Sequence, residues 1–298
     1  MNRSVILGAL MVGLLVVGLS VMASKTLTPA ANGIRVVTSF YPLGYLAASI
    51  VGELGTVTTI TPAGVEPHDY QPTAGDLAAI EQSHLLVLNG AGLEPWSDRV
   101  TRQLKGSDVH IVVASQGLTN TTSIDPHVWL DPLRAKAEAQ AIADQLIVID
   151  AAHASTYRAN LTQLSQELDR IDLAYRTGLA TCRTRQLVTA HVAFAYLADR
   201  YGLTQLGIAG LSPDEEPSPE QLATVATFVR DHHTTTIFFE TLVSPKLADT
   251  IARETGATTA ELNPIEGLTD RDFAAGNDYR SLMLQNLTEL QKALQCQA

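Results

Sequence analysis

The feature that most constrains this chain is an alternation of short β-branched or aliphatic runs with helical patterns, played through twice. In the first pass "IRVVTSF" (34–40), "TVTTITP" (56–62), "LLVLNG" (85–90) and "HIVVAS" (110–115) read as strands. Helical patterns fall between them in "PLGYLAASIVGEL" (42–54) and "TAGDLAAIEQS" (73–83). The rhythm returns after residue 184, with strand candidates at 185–191, 204–210, 234–241 and 257–263 and helix candidates at 193–202, 218–233 and 244–256. The last two helices each open on Ser-Pro, a cap followed by proline at the first helical position, and the last closes on Gly256. Repeated β-then-α order predicts parallel strands covered by helices.

Between the two passes the pattern changes. After "WLDP", where Asp131 can cap and Pro132 can begin a helix, a helical pattern runs to about residue 149. A second runs from about 151 to 179, and in it Tyr157, Leu161, Leu164, Leu168, Ile171 and Tyr175 form one apolar stripe at spacings of three and four. At 1.5 Å per residue that helix is roughly 40 Å long. The expected fold class is therefore α/β: two lobes, each with a mostly parallel four-stranded sheet flanked by helices, joined by one long rigid helix. The expected boundaries are 34–150 for the first lobe, 151–181 for the connecting helix and 182–298 for the second lobe.

Composition narrows the function. The 298 residues, 46% hydrophobic and 17% charged, suffice for two ordinary cores. A net charge of -11 with no Lys/Arg cluster excludes a nucleic-acid partner. After Arg3 no charge appears until Lys25, and "VMA" precedes Ser24, so residues 1–23 read as a signal peptide, followed by a linker over 24–33. The apolar stretch approaches the ~20 residues that span a bilayer, so a retained anchor through residues 4–23 is the alternative. Either way the protein is exported, to the periplasm or another extracytoplasmic location, and no cysteine lies near the leader for lipid modification. Of the two cysteines, Cys182 and Cys296, export permits a disulfide, with two unpaired thiols as the other possibility.

Open α/β sheets bind ligands beyond the carboxyl ends of their strands, and four polar residues fall on such loops. His68 lies in "VEPHDYQPT" (65–73), which Pro67 and Pro72 make a stiff, exposed loop. His127 lies in "IDPHVWLDP" (124–132), His191 directly follows "LVTA", and Glu266 lies in "ELNPIEGLTD" (261–270). If the lobes face each other, all four meet in one cleft. Three neutral imidazoles and one carboxylate are a donor set for a divalent transition metal, tetrahedral for zinc. Glu66, Glu240 and Asp270 are rivals for the fourth position. Of the remaining histidines, His84, His110 and His153 read as ordinary surface or partly buried residues and His232 and His233 as helix-end residues; Trp96 and Trp129 read as packing residues, Asp131 as a cap. Asp69 and Tyr70 are candidates for orienting the loops.

Taken in order, "SFYPLGYLAASIVGE", "EPHDYQPT", "GLEPW", "DPHVWLDP", "LVTAHVAFAYLADRYGL", "IFFETLVSPKLADTIARETG" and "LNPIEGLTDRD" resemble the metal-binding subunits of bacterial zinc or manganese ABC importers, the cluster A-I (class III) substrate-binding proteins. The resemblance covers roughly 33 to 295. It implies two lobes on one long helix, little movement on binding, and metal ligands at His68, His127, His191 and, in a zinc-type "NPIEGLT" pattern, Glu266. The manganese branch usually has a carboxylate at the third position; His191 here implies Zn2+ as the carried ion, with Mn2+ less favoured. The His-rich loop of many zinc members is missing from "SQGLTNTTSID" (115–125). The implied partner is a membrane permease with its ATPase, and we expect a monomer without enzymatic activity. The competing functions are a zinc hydrolase, which lacks an H-E-x-x-H motif here, and a surface adhesin with the same site. Because the acceptor imidazoles must be neutral, capture should weaken as pH falls through about 6 to 7.

Overall fold

The computed structural model describes residues 33–119 and 124–297. The expected leader (1–23), nearly all of the linker and the middle of the 115–125 loop lie outside the described residues. The first sheet contains β1 (Ile34–Thr38), β2 (Gly55–Thr59), β3 (Leu85–Leu88) and β4 (His110–Val113), in the order β2-β1-β3-β4 with every pair parallel. The second contains β5 (Gln186–Thr189), β6 (Thr204–Gly207), β7 (Thr236–Phe239) and β8 (Thr258–Glu261), in the order β6-β5-β7-β8, again all parallel. The two lobes thus repeat one topology. β3, whose four residues are Leu, Leu, Val and Leu, is buried throughout, as a strand covered on both faces must be.

The helices of the first lobe are α1 (Tyr41–Val51), α2 (Ala74–Glu81), α3 (Ser97–Gln103) and α4 (Pro132–Ile149). The connecting helix α5 (Ala154–Gly178) has 25 residues, about 37 Å of helix. The second lobe adds α6 (Ala195–Tyr201), α7 (Pro219–Asp231), α8 (Lys246–Thr255), α9 (Asp270–Ala275) and α10 (Tyr279–Ala293). Local chemistry sets their ends. Asp131 accepts from the Leu133 N–H with Pro132 in the first turn of α4, and Ser218 and Gln221 form a reciprocal capping box at α7. At α8 the expected Ser244 cap does not form: the cap position is Pro245, one residue later, and no side chain caps it. α1 lies so close on the sheet that a Cβ on Gly44 would meet the Thr59 hydroxyl at 2.2 Å.

The stripe read from the sequence is the face α5 buries: Tyr157, Leu161, Leu164, Leu168, Ile171 and Tyr175, joined by Asp172. Asn160 Nδ2 donates to the Ile50 carbonyl of α1 at 2.9 Å, and Tyr175 OH donates to the Met283 carbonyl of α10 at 2.7 Å. These contacts tie the helix to both lobes. One apolar core, including Phe40, Leu43 and Trp129 from the first lobe, the α5 stripe, and Leu187, Phe194 and Ile265 from the second, runs through the seam. Lobes that share a close-packed core do not swing freely. Cys182 and Cys296 are disulfide-bonded across a sequence separation of 114 and pair as an antiparallel bridge, closing the second lobe on itself. Among the described residues no helix is long and apolar enough to cross a membrane.

Candidate metal centre

The four donors sit beyond the C-terminal ends of four strands: His68 after β2, His127 after β4, His191 after β5 and Glu266 after β8. The stiff segments hold them. His127 precedes a short 3-10 turn over Val128–Leu130, and Pro126 holds the chain before it. The structure brings all four side chains to one place, with one ligand atom of each within 4.8 Å of every other.

The measured separations form a compact polyhedron. His127 Nε2 lies 3.3 Å from His68 Nε2 and 3.1 Å from His191 Nε2. Glu266 Oε1 lies 3.4, 3.2 and 3.7 Å from the Nε2 atoms of His68, His127 and His191. A tetrahedron with ligands about 2.0–2.1 Å from its centre has edges of about 3.3 Å. His127, His191 and Glu266 are buried, and His68 is almost so, its side chain 10% exposed.

Two of the imidazoles are aimed by carboxylates. Asp125 Oδ1 lies 2.7 Å from His127 Nδ1, and Glu240 Oε1 lies 2.7 Å from His191 Nδ1. An ionised carboxylate can only accept, so each Nδ1 carries a proton and each Nε2, once free of its own proton, presents its lone pair to the centre. The rivals for the fourth position therefore separate. Glu240 holds the far side of His191, and Glu66 Oε1 accepts the His68 backbone N–H at 3.3 Å. Asp270 is exposed in the first turn of α9 and is not in the group. The sequence reading had no role for Asp125 and carried Glu240 only as a rival for the fourth position; in the structure its carboxylate lies behind His191 instead. A carboxylate two residues before a candidate histidine was the available signal for Asp125.

Tyr70 OH donates to Asp76 Oδ2 at 2.6 Å, joining the His68 loop to the capping box of α2. Trp96 and Trp129 are buried as expected, but Trp129 also donates its indole N–H to the Pro264 carbonyl at 2.8 Å. His84 is partly buried and accepts the Arg35 backbone N–H on Nδ1 at 2.9 Å.

Crowding of acids shifts the titrating groups. Burial draws the His127 pKa down, but the Asp125 and Glu266 carboxylates overcome this and raise it to about 9. Burial opposes ionisation of Glu266, yet the surrounding imidazoles hold its carboxyl well below the usual range. Burial, then the Glu266 charge, push Glu66 up to about 9. Glu66 also lines a cleft of about 690 Å³ with Asp214, Glu215, Glu216 and Lys246.

Two α/β lobes on one long helix, with three imidazoles and a carboxylate gathered in the seam, define a substrate-binding protein of the metal-carrying class. Residues 36–293 match the family described as "Zinc-uptake complex component A periplasmic", and the chain belongs to that family. It is 36% identical over 279 residues to the high-affinity zinc uptake system protein ZnuA of Bacillus subtilis, covering 88% of each chain. It is 32% identical over 288 residues to the zinc-binding protein AdcA of Streptococcus pyogenes, where it spans about half of that protein, 56%, and 88% of itself. Among solved structures it resembles the Zn(II)-bound ZnuA-like domain of Streptococcus pneumoniae AdcA, with TM-score 0.79, 35% identity and coverage of 88% of this chain and 99% of that one. It also resembles the laminin-binding protein Lmb of Streptococcus agalactiae, described as a bifunctional protein with adhesin and metal transporting activity, with TM-score 0.80, 37% identity and coverage of 88% and 100%.

Proposed function

We propose that this chain captures Zn2+ outside the cytoplasmic membrane, in the seam between its lobes, and hands it to a membrane permease driven by an ATPase. His68, His127 and His191 supply three nitrogens and Glu266 the oxygen. The observation that carries this reading is the set of five separations of 3.1–3.7 Å among those donors, each close to a tetrahedral edge for zinc. Manganese favours carboxylate-rich sets and is second choice for this one. The protein is a binder and not an enzyme, because its own side chains fill all four positions of a tetrahedral ion and leave none for an activated water. It acts as a monomer in the periplasm or another extracytoplasmic space. Attachment to the membrane through residues 4–23 concerns residues outside those described. The lobes extend over 34–150 and 182–298, with 151–181 as the strut.

The test is elemental analysis of protein purified without added metal, followed by competition between zinc and manganese. One zinc per chain, resistant to manganese and lost in His191→Ala, is the expected result; a preference for manganese, or wild-type zinc uptake by His191→Ala, overturns it. The likeness to Lmb favours a second reading, a surface adhesin with the same site. Binding of the purified protein to immobilised laminin, with and without zinc, tests that reading separately.

A further inference from the structure

We propose that Trp129 is a positioning residue for zinc: its indole N–H, reaching from the His127 loop to the Pro264 carbonyl of the other lobe, keeps Ile265 left-handed and so aims Glu266 at the three imidazoles. The proposal rests on the zinc-site reading and adds to it the device that places the fourth ligand.

Ile265 has φ 60°. Of the four non-glycine residues with positive φ among those described, the others being Ala91, His233 and Gln295, it alone is β-branched. In this region Cβ crowds the following carbonyl oxygen, and a branched side chain is the least tolerant of it. Such a backbone persists only where its surroundings over-determine it. Three contacts do so here. The Ile265 side chain is fully buried in the core shared by the lobes. The Ile265 N–H donates to Asn263 Oδ1 at 2.7 Å, and Asn263 is itself held through its backbone N–H and carbonyl by the Asn286 amide, at 2.8 and 2.6 Å. The carbonyl between them, that of Pro264, accepts the Trp129 indole N–H at 2.8 Å.

Trp129 is in turn immobile. It is fully buried, its carbonyl accepts the Tyr279 hydroxyl at 2.5 Å, and its ring meets Phe40 edge-on at 4.7 Å between centroids. The same ring lies 5.2 Å from that of His127. One side chain therefore touches a zinc ligand of the first lobe and fixes the backbone two residues before a zinc ligand of the second. If Trp129 only filled space, Phe would serve nearly as well. If its N–H matters, Phe leaves the Pro264 carbonyl buried without a partner, and the turn relaxes toward ordinary φ with Glu266 carried off the imidazoles.

The experiment compares wild type, Trp129→Phe, Asn263→Ala, Glu266→Ala and the two double variants, measuring zinc affinity by chelator competition and the visible spectrum of the Co2+-loaded protein. Trp129→Phe and Asn263→Ala should each weaken zinc by about tenfold or more, the usual effect of losing an outer partner of a ligand. Both should lower the intensity of the tetrahedral Co2+ bands. In the Glu266→Ala background, where three imidazoles keep a measurable affinity, neither should weaken zinc further, because both act through the missing carboxylate. Wild-type affinity in a folded Trp129→Phe, or an equal loss with and without Glu266, overturns the proposal. Should Trp129→Phe fail to fold, Asn263→Ala decides alone, since it deletes only a side-chain acceptor. Tight zinc in wild type that disappears in His191→Ala supports the site itself, whichever way the Trp129 comparison falls.

Discussion

Glu240 holds His191 twice, one carboxylate oxygen accepting the backbone N–H at 3.0 Å and the ring Nδ1–H at 2.7 Å. Asp125 grips His127 in the same way, at 3.0 and 2.7 Å. Each lobe thus supplies a histidine already fixed in tautomer and direction by a carboxylate of its own, which lowers the ordering cost of capturing an ion. Glu240→Ala should weaken zinc by about 10- to 100-fold. Glu240→Gln, which can still accept, should lose less. Chelator competition measures both, and equal affinity in wild type and Glu240→Ala would contradict the role.

Zinc capture should depend on pH over a range higher than ordinary imidazoles suggest. In the metal-free protein the Asp125 and Glu266 carboxylates lift His127 to about 9 against the opposing pull of burial. Burial and the Glu266 charge lift Glu66 to about 9 as well. Both groups therefore hold protons at neutral pH, and zinc must displace the one on the His127 nitrogen it binds. Affinity should rise from about pH 7 toward pH 9 and fall in the other direction, a range above the window of 6 to 7 expected from the sequence. Calorimetric titrations in buffers of different ionisation heat should detect the released proton; a flat affinity across that range would refute this.

Glu138 offers a test of stability away from the site. It is fully buried on α4, neither oxygen has a hydrogen-bond partner among the described residues, and burial, then the Glu94 charge, raise its pKa from 4.5 to about 8. The folded state binds this proton more tightly than the unfolded chain. Its contribution is therefore complete below about pH 4.5 and is lost as pH rises through about 8. Glu138→Gln, neutral throughout, should melt higher than wild type at pH 8.5 and close to it at pH 5. Parallel pH profiles for the two proteins would contradict this.

The Cys182–Cys296 disulfide closes a long loop around the second lobe. Cys182→Ser or Cys296→Ser should cost about 2–4 kcal/mol, because cross-linking restricts the unfolded chain. Chemical denaturation with and without reductant checks this, and the wild-type protein after reduction should match either variant.

Much of the architecture was legible because its signals are local. The β/α rhythm, the cap at Asp131 and the Ser-Pro opening at 218 each act within a few residues, and the α5 stripe names its buried face directly. α10 could have been read in the same way, from Leu282, Met283, Leu287 and Leu290, and was missed. α3 is a short, polar helix of seven residues, and its periodicity is too brief to register. At the site the three histidines and Glu266 stood out because they follow strand ends, but only the resemblance in "NPIEGLT" set Glu266 ahead of Glu66, Glu240 and Asp270.

Sequence alone determined the eight strands, the connecting helix and the four loops that carry the candidate donors, since turn residues and apolar periodicity act between near neighbours. Tertiary structure decided which acid faces the imidazoles and which stands behind them, for Glu240 and His191 are 49 positions apart and only the β5–β7 pairing makes them adjacent. It also joined the two cysteines and gave Trp129 its partner 135 positions away. Distances of that kind follow from how whole lobes pack, a sum over many contacts that no short stretch of chain contains.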